Sequence, residues 1–127
     1  MMQIKPNISV QKLVSPLFNK TSASVLRLDE IHPIVSGNKW FKLKYHIEEA
    51  KQQQKNTIAT FGGAFSNHIV AAAFACKEAG LKGVGIIRGE KPNQFSPTLT
   101  AAQEYGMQLH FVSREHFKNK ALLKQEL

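Results

Sequence analysis

Apolar residues follow two different periods along this chain, and the alternation between them outlines the fold. At Trp40, Leu43, Ile47 and Ala50 they recur every three to four positions with charges between, which predicts an amphipathic helix ending near Gln54. Residues 57–61 and 83–87 are short apolar runs flanked by polar or glycine-rich segments, and they read as buried strands, as does 108–112. A weaker alternation over 22–28 predicts one more strand. Between the apolar strands, residues 67–79 are apolar nearly all round, with Ile69, Val70, Phe74, Cys76 and five alanines. Such a helix is buried on more than one side, and Gly80 supplies its stop. Ser96-Pro97 starts another helix, with a serine cap and proline in the first turn, which ends before Gly106. Ser113 caps a last helix that meets no stop signal by Leu127. Residues 1–20 mix Pro6, Asn7, Pro16 and Asn19 with isolated apolars and read as an irregular arm, while 29–37 and 88–95 are loops.

Apolar strands alternating with helices predict an α/β chain of parallel βα units joined by right-handed crossovers. In such sheets ligands sit beyond the carboxyl ends of the strands. That directs attention to two stretches at helix starts, Ser36-Gly37-Asn38-Lys39-Trp40 and Phe61-Gly62-Gly63-Ala64-Phe65-Ser66-Asn67-His68.

In the first stretch, Asn38 is the expected N-cap, which places Lys39 in the first turn and on the inward stripe of Leu43. The positive end of a helix and partial burial both disfavour an ammonium, and the neutral amine is the nucleophile of Schiff-base chemistry. The alternative is a lysine whose stem packs and whose head reaches water. In the second stretch, Gly62-Gly63 permits a tight turn after the strand. Free N–H groups at the following helix start, with Ser66 or Asn67 capping, form a site for a carboxylate or phosphate. The alternative is an ordinary strand-to-helix turn. The sequence is neither a P-loop nor a dinucleotide fingerprint.

Composition narrows the classes. The chain has 127 residues, enough for a small domain with a modest core. It has no apolar run that would span a bilayer and no apolar secretory core at its start, and its single cysteine, Cys76, suits a reducing compartment. Together these predict a cytoplasmic protein without a membrane partner. Cys76, on the apolar helix, is expected as core filler. The net charge is +8, but the lysines are dispersed over helix faces without interleaved aromatics, so a nucleic-acid partner is not expected. Ser66 lacks the flanking glycines of a nucleophile elbow, since Ala64 and His68 stand there. His32, His46, His68, His110 and His116 have no metal-ligand spacing.

Taken together, Ser-Gly-Asn-Lys-Trp and Gly-Gly-x-x-Ser-Asn-His resemble the pyridoxal-phosphate enzymes of the tryptophan-synthase-β type, fold type II. Within that group they resemble the 1-aminocyclopropane-1-carboxylate deaminase and D-cysteine desulfhydrase family. Arg27-Leu28-Asp29-Glu30-Ile31-His32-Pro33, Ala72-Ala73-Phe74-Ala75 and Ala79-Gly80 share the resemblance, which covers roughly residues 20–116. It implies that Lys39 forms the Schiff base with pyridoxal 5'-phosphate and later carries a proton. It implies that Asn67 hydrogen-bonds the cofactor ring's 3′ oxygen, and that Ser66, Asn67 and His68 hold the substrate carboxylate. The implied reaction is elimination from a small amino acid, followed by hydrolysis of the imine to a 2-oxo acid and ammonia. Histidine after Ser-Asn leans toward the desulfhydrase-like members, since those that open the cyclopropane ring tend to carry glutamine there. The alternative role for His68 is packing behind the site.

Family members are more than twice this length. Their glycine-rich phosphate cup, pyridine-nitrogen partner and catalytic tyrosine fall in a later part that this chain does not match. The resemblance therefore implies an incomplete, truncated form, with 1–55 part of the large cofactor domain and 56–127 part of the small one. Impaired activity and a possible homodimer are the corresponding expectations. The competing reading is a non-catalytic α/β fragment that keeps the fold without cofactor chemistry.

Overall fold

The computed structural model describes residues 8–121 and residue 123. The parts of the arm and of the last helix expected at 1–7 and 124–127 lie outside them. The expected architecture is present. Strands β3 (Thr57–Gly63), β4 (Lys82–Arg88) and β5 (Gln108–Val112) form a parallel sheet in the order β3-β4-β5. Helices α2 (Asn67–Ala79) and α3 (Pro97–Glu104) make the crossovers between them, and α1 (Asn38–Gln52) packs on α2.

The core centres on α2. Ala71, Ala72, Ala73 and Ala75 are buried, and their short side chains let α1, α3 and the sheet approach from different sides. Trp40, Leu43 and Ile47 come in from α1, Ile86 and Ile87 from β4, and Leu99 and Ala102 from α3. Among the described residues no buried side chain is charged. Gly80 closes α2 in the left-handed conformation at φ 69°, with Leu81 N–H donating to the Cys76 carbonyl. Burial pushes the Cys76 thiol up to about 11, as expected of core filler.

Four local expectations are corrected. Residues 10–13 are not irregular: β1 (Val10–Leu13) pairs antiparallel with β2 (Ala23–Leu26) in a separate two-stranded sheet. Arg27 fastens this hairpin, through Gln11 at 2.8 Å and bonds to Asp29 and Glu30 at 2.7 and 3.0 Å. Asn38 is the first helical residue of α1 and not its cap. Gly37 takes the cap position at φ 62°, where a side chain is strained, so the entry to α1 rests on backbone freedom instead of a side-chain hydrogen bond. Gly62 and Gly63 continue β3, and the turn falls after them. The last helix does not run on unbroken: α4 (Arg114–Lys118) stops at Asn119, with helix resuming at residue 120.

Gly62 has a packing reason. A Cβ built there would sit 2.5 Å from Ile69 Cγ1 and 2.8 Å from Ile69 Cδ1, and Ile69 is fully buried. The absent side chain is what lets the start of α2 lie close against the end of β3. Gly62→Ala is therefore expected to destabilise the chain by roughly 1–3 kcal/mol through overpacking. Urea denaturation checks this, and an unchanged midpoint would show that Ile69 yields freely.

Candidate active site

Lys39 stands one position before buried Trp40, at the edge of the stripe that α1 presents to the core, and is itself half-buried. Its approach is a loop closed at the base by Leu28, whose carbonyl accepts from Gly37 N–H at 2.7 Å and from Ile31 N–H at 3.4 Å. Ile31 and Val35 anchor the loop in the core. The loop leaves Pro33, Ile34 and Ser36 beside Lys39.

On the other side, β3 delivers the chain to a turn in which Ser66 N–H donates to the Gly63 carbonyl at 3.1 Å. The turn is pinned from α3: Ser96 Oγ donates to the Ala64 carbonyl and accepts from Leu99 N–H at 3.2 Å. Ser66 is the N-cap of α2 in an extended conformation, but its side chain makes no capping hydrogen bond, so the first-turn N–H groups have no side-chain acceptor.

These two elements meet in a cleft of about 260 Å³ lined by Pro33, Ile34, Ser36, Lys39, Asn67 and Val70. Lys39 and Asn67, singled out from separate motifs, share it. Asn67 is exposed at the start of α2, at the carboxyl end of β3. Ser66 lies just behind, its Oγ near Gly62. His68 is turned elsewhere. Its Nε2 is 2.8 Å from Thr60 Oγ1 on β3, and it lines a second cavity of about 400 Å³ with Lys42, His46 and Ala72. That pairing joins residues eight apart across a strand, a turn and a helix start, and the sequence carried no signal for it.

Burial lowers the His68 pKa from its usual 6.5, and the charges of Lys39, Lys42 and His46 lower it further. The ring is thus held neutral, and with Thr60 it forms one neutral hydrogen-bonded pair against β3. Chemically the first cleft offers a primary amine, an amide and a hydroxyl against an apolar wall, next to a helix N-terminus. Among the described residues no group of His, Cys, Asp or Glu is arranged to hold a metal ion. No helix there is long and apolar enough to cross a membrane.

A parallel α/β sheet thus sets a lysine and an amide in one cleft beyond a strand's carboxyl end, and comparison with known proteins shows what the chain is similar to. No protein-family model matches the chain. The bifunctional D-cysteine desulfhydrase/1-aminocyclopropane-1-carboxylate deaminase of Arabidopsis thaliana, a mitochondrial protein, is 31% identical over 107 residues, covering 80% of this chain and 26% of that one. A protein of Oryza sativa subsp. japonica, provisionally named mitochondrial D-cysteine desulfhydrase 2, is 35% identical over 69 residues, covering 54% of this chain and 17% of its own. Among solved structures, an ACC deaminase homologue aligns with a TM-score of 0.69 at 22% identity, over 86% of this chain and 33% of that one. A hydrogen sulfide-producing enzyme from Fusobacterium nucleatum aligns at 0.63 and 12% identity, over 99% of this chain and 42% of that one. The chain is related to the 1-aminocyclopropane-1-carboxylate deaminase and D-cysteine desulfhydrase family, whose fold it shares in part. The aligned stretches span only 17% to 26% of these curated relatives' own length, which fits an N-terminal portion.

The neutral His68 gives a pH dependence whose sign follows from linkage. The unfolded ring takes up a proton near 6.5 and the folded one only at lower pH, so between them the unfolded state binds more protons. This contribution to stability is complete above 6.5 and falls as the pH drops toward the folded value. Urea midpoints should therefore decline between about pH 7 and about pH 5, and His68→Gln should flatten the decline. Equal slopes in both proteins would place the titration elsewhere.

Proposed function

We propose that this chain carries the lysine side of a pyridoxal-phosphate-dependent deaminase or desulfhydrase acting on a small amino acid, within a larger catalytic unit. The observation that supports it is the shared cleft, which gathers Lys39 and Asn67 from two motifs at the carboxyl end of β3. The residues present fit one side of pyridoxal phosphate. An aldehyde needs a primary amine, a heteroaromatic ring needs apolar walls, and a ring oxygen needs a donor. Lys39, the Pro33, Ile34 and Val70 surfaces, and Asn67 supply these in turn.

When bound, the cofactor supplies an electron sink for the carbanion of an amino acid. The chain's own residues do the remaining work on this side. Lys39 Nζ would hold the cofactor through its aldehyde and, as a free amine, would hold and move a proton. Asn67 orients the ring oxygen. The N–H groups of Asn67 and His68 at the start of α2, with the Ser66 hydroxyl, would receive the substrate carboxylate, which the helix dipole stabilises there. The Thr60 hydrogen bond turns the His68 ring away, so His68 contributes through its backbone. On this reading residues 1–55 would belong with a large cofactor domain and 56–127 with a small one.

Part of the surface suits a unit larger than this chain. Val10, Val14, Leu17 and Leu26 are exposed on or beside the β1–β2 hairpin, Val14 at 92% and Leu17 at 88%. Such a cluster of large apolar side chains is characteristic of a face that another element covers. With only one side of the site, affinity for pyridoxal phosphate is expected to be weaker than in the full-length relatives.

The test is to mix the purified chain with pyridoxal phosphate, record the absorption spectrum, reduce with borohydride and map the labelled peptide. A visible band with label concentrated on Lys39, and lost in Lys39→Ala, is the expected result. Label scattered over surface lysines, with Lys39 no more reactive than the rest, would favour a catalytically silent fragment.

A further inference from the structure

Three of the six residues lining the Lys39 cleft, Pro33, Ile34 and Ser36, come from the loop that precedes α1. Loops of this kind carry backbone N–H groups that need partners when they turn inward. Here two of them find the same one. His32 Nδ1 accepts from Ile34 N–H at 3.1 Å and from Val35 N–H at 3.2 Å. Val35 is fully buried and Ile34 half-buried, so the Val35 donor in particular depends on a partner within the protein. A nitrogen that accepts carries no proton, which fixes a ring whose hydrogen is on Nε2.

The His32 ring also makes a contact on the opposite wall. It packs on Phe74 with ring centroids 5.0 Å apart, and Phe74 meets Tyr105 edge-on at 5.3 Å. Phe74 lies four positions after Val70 and seven after Asn67 on α2. It therefore shares the helix face that supplies the other wall of the cleft.

We propose that His32 is a positioning residue for the Lys39 cleft. Through Nδ1 it holds the 33–36 loop in shape, and through its ring it registers that loop against the α2 face bearing Asn67 and Val70. Its importance to chemistry rests on the reading of Lys39 as the reactive amine, but its structural action does not. The hydrogen-bonding and packing roles separate by substitution. His32→Asn keeps a short-range acceptor near the Nδ1 position and loses the ring. His32→Phe keeps a ring against Phe74 and loses the acceptor.

Amide hydrogen exchange at Ile34 and Val35 is measured in the wild type and both variants, alongside competitive acetylation of Lys39 relative to Lys44 by acetic anhydride and borohydride-trapped labelling by pyridoxal phosphate. His32→Phe is expected to raise exchange at both amides by about tenfold or more, the scale of two lost hydrogen bonds, with His32→Asn closer to wild type. The Lys39-to-Lys44 acetylation ratio should shift in both variants, in His32→Phe through the released loop and in His32→Asn through the lost ring contact. If exchange at the two amides is the same in both variants, or the Lys39 ratio keeps its wild-type value in both, His32 does not position Lys39 and the proposal fails. If pyridoxal phosphate fails to label Lys39 even in the wild type, the proposed function falls alone. The exchange and acetylation results still decide the role of His32.

Discussion

Between His68 and Cys76, no residue of α2 is exposed, and the rest of the structure depends on that helix being enclosed. Nine consecutive positions must find neighbours on every side, so α1, α3 and the parallel sheet all pack against one rod. Alanine makes this geometrically possible, because short side chains bring backbones together without voids. Gly62 makes it possible at the end of β3, where a Cβ would meet Ile69 at 2.5 Å. The enclosed helix fixes the place of its own N-terminus, and that terminus is where the candidate chemistry sits.

The cleft follows from this enclosure. Burying Trp40, Leu43 and Ile47 against α2 aligns α1 and sets Lys39 at the rim of the buried stripe. Ile31 and Val35 carry the preceding loop into the same core. Ser96 reaches from α3 to the Ala64 carbonyl and holds the turn before α2. Each interaction is modest alone. Jointly they hold the elements that bear Lys39 and Asn67 to one core, the kind of preorganisation that the proposed chemistry would use.

Much of this was legible in the sequence because the signals were local. The bounds of α2, the serine cap and first-turn proline of α3, and the position of β5 follow from periodicity and cap chemistry over a few residues. The features that were not legible depend on distant partners or on backbone geometry. Residues 10–13 become a strand only because 23–26 lie beside them, and nothing in Val-Gln-Lys-Leu announces it. The cap of α1 went to Gly37 because a positive φ, invisible in composition, turns the chain there. Gly62 and Gly63 read as a turn, yet they extend β3 because the need was for close approach to Ile69. Within the site, Lys39 and Asn67 were found by motif, whereas the Thr60–His68 pair and the Nδ1 contacts of His32 arise from tertiary placement.

The central claim is that one core brings Lys39 and the start of α2 together. Nuclear Overhauser contacts from the Lys39 side-chain methylenes in solution test it most directly. The account predicts cross-peaks from Lys39 to the Asn67 side-chain amide and the Val70 methyls. Lys39 methylenes that show contacts only within α1, in a chain whose Trp40 and Leu43 still contact the α2 alanines, would contradict it.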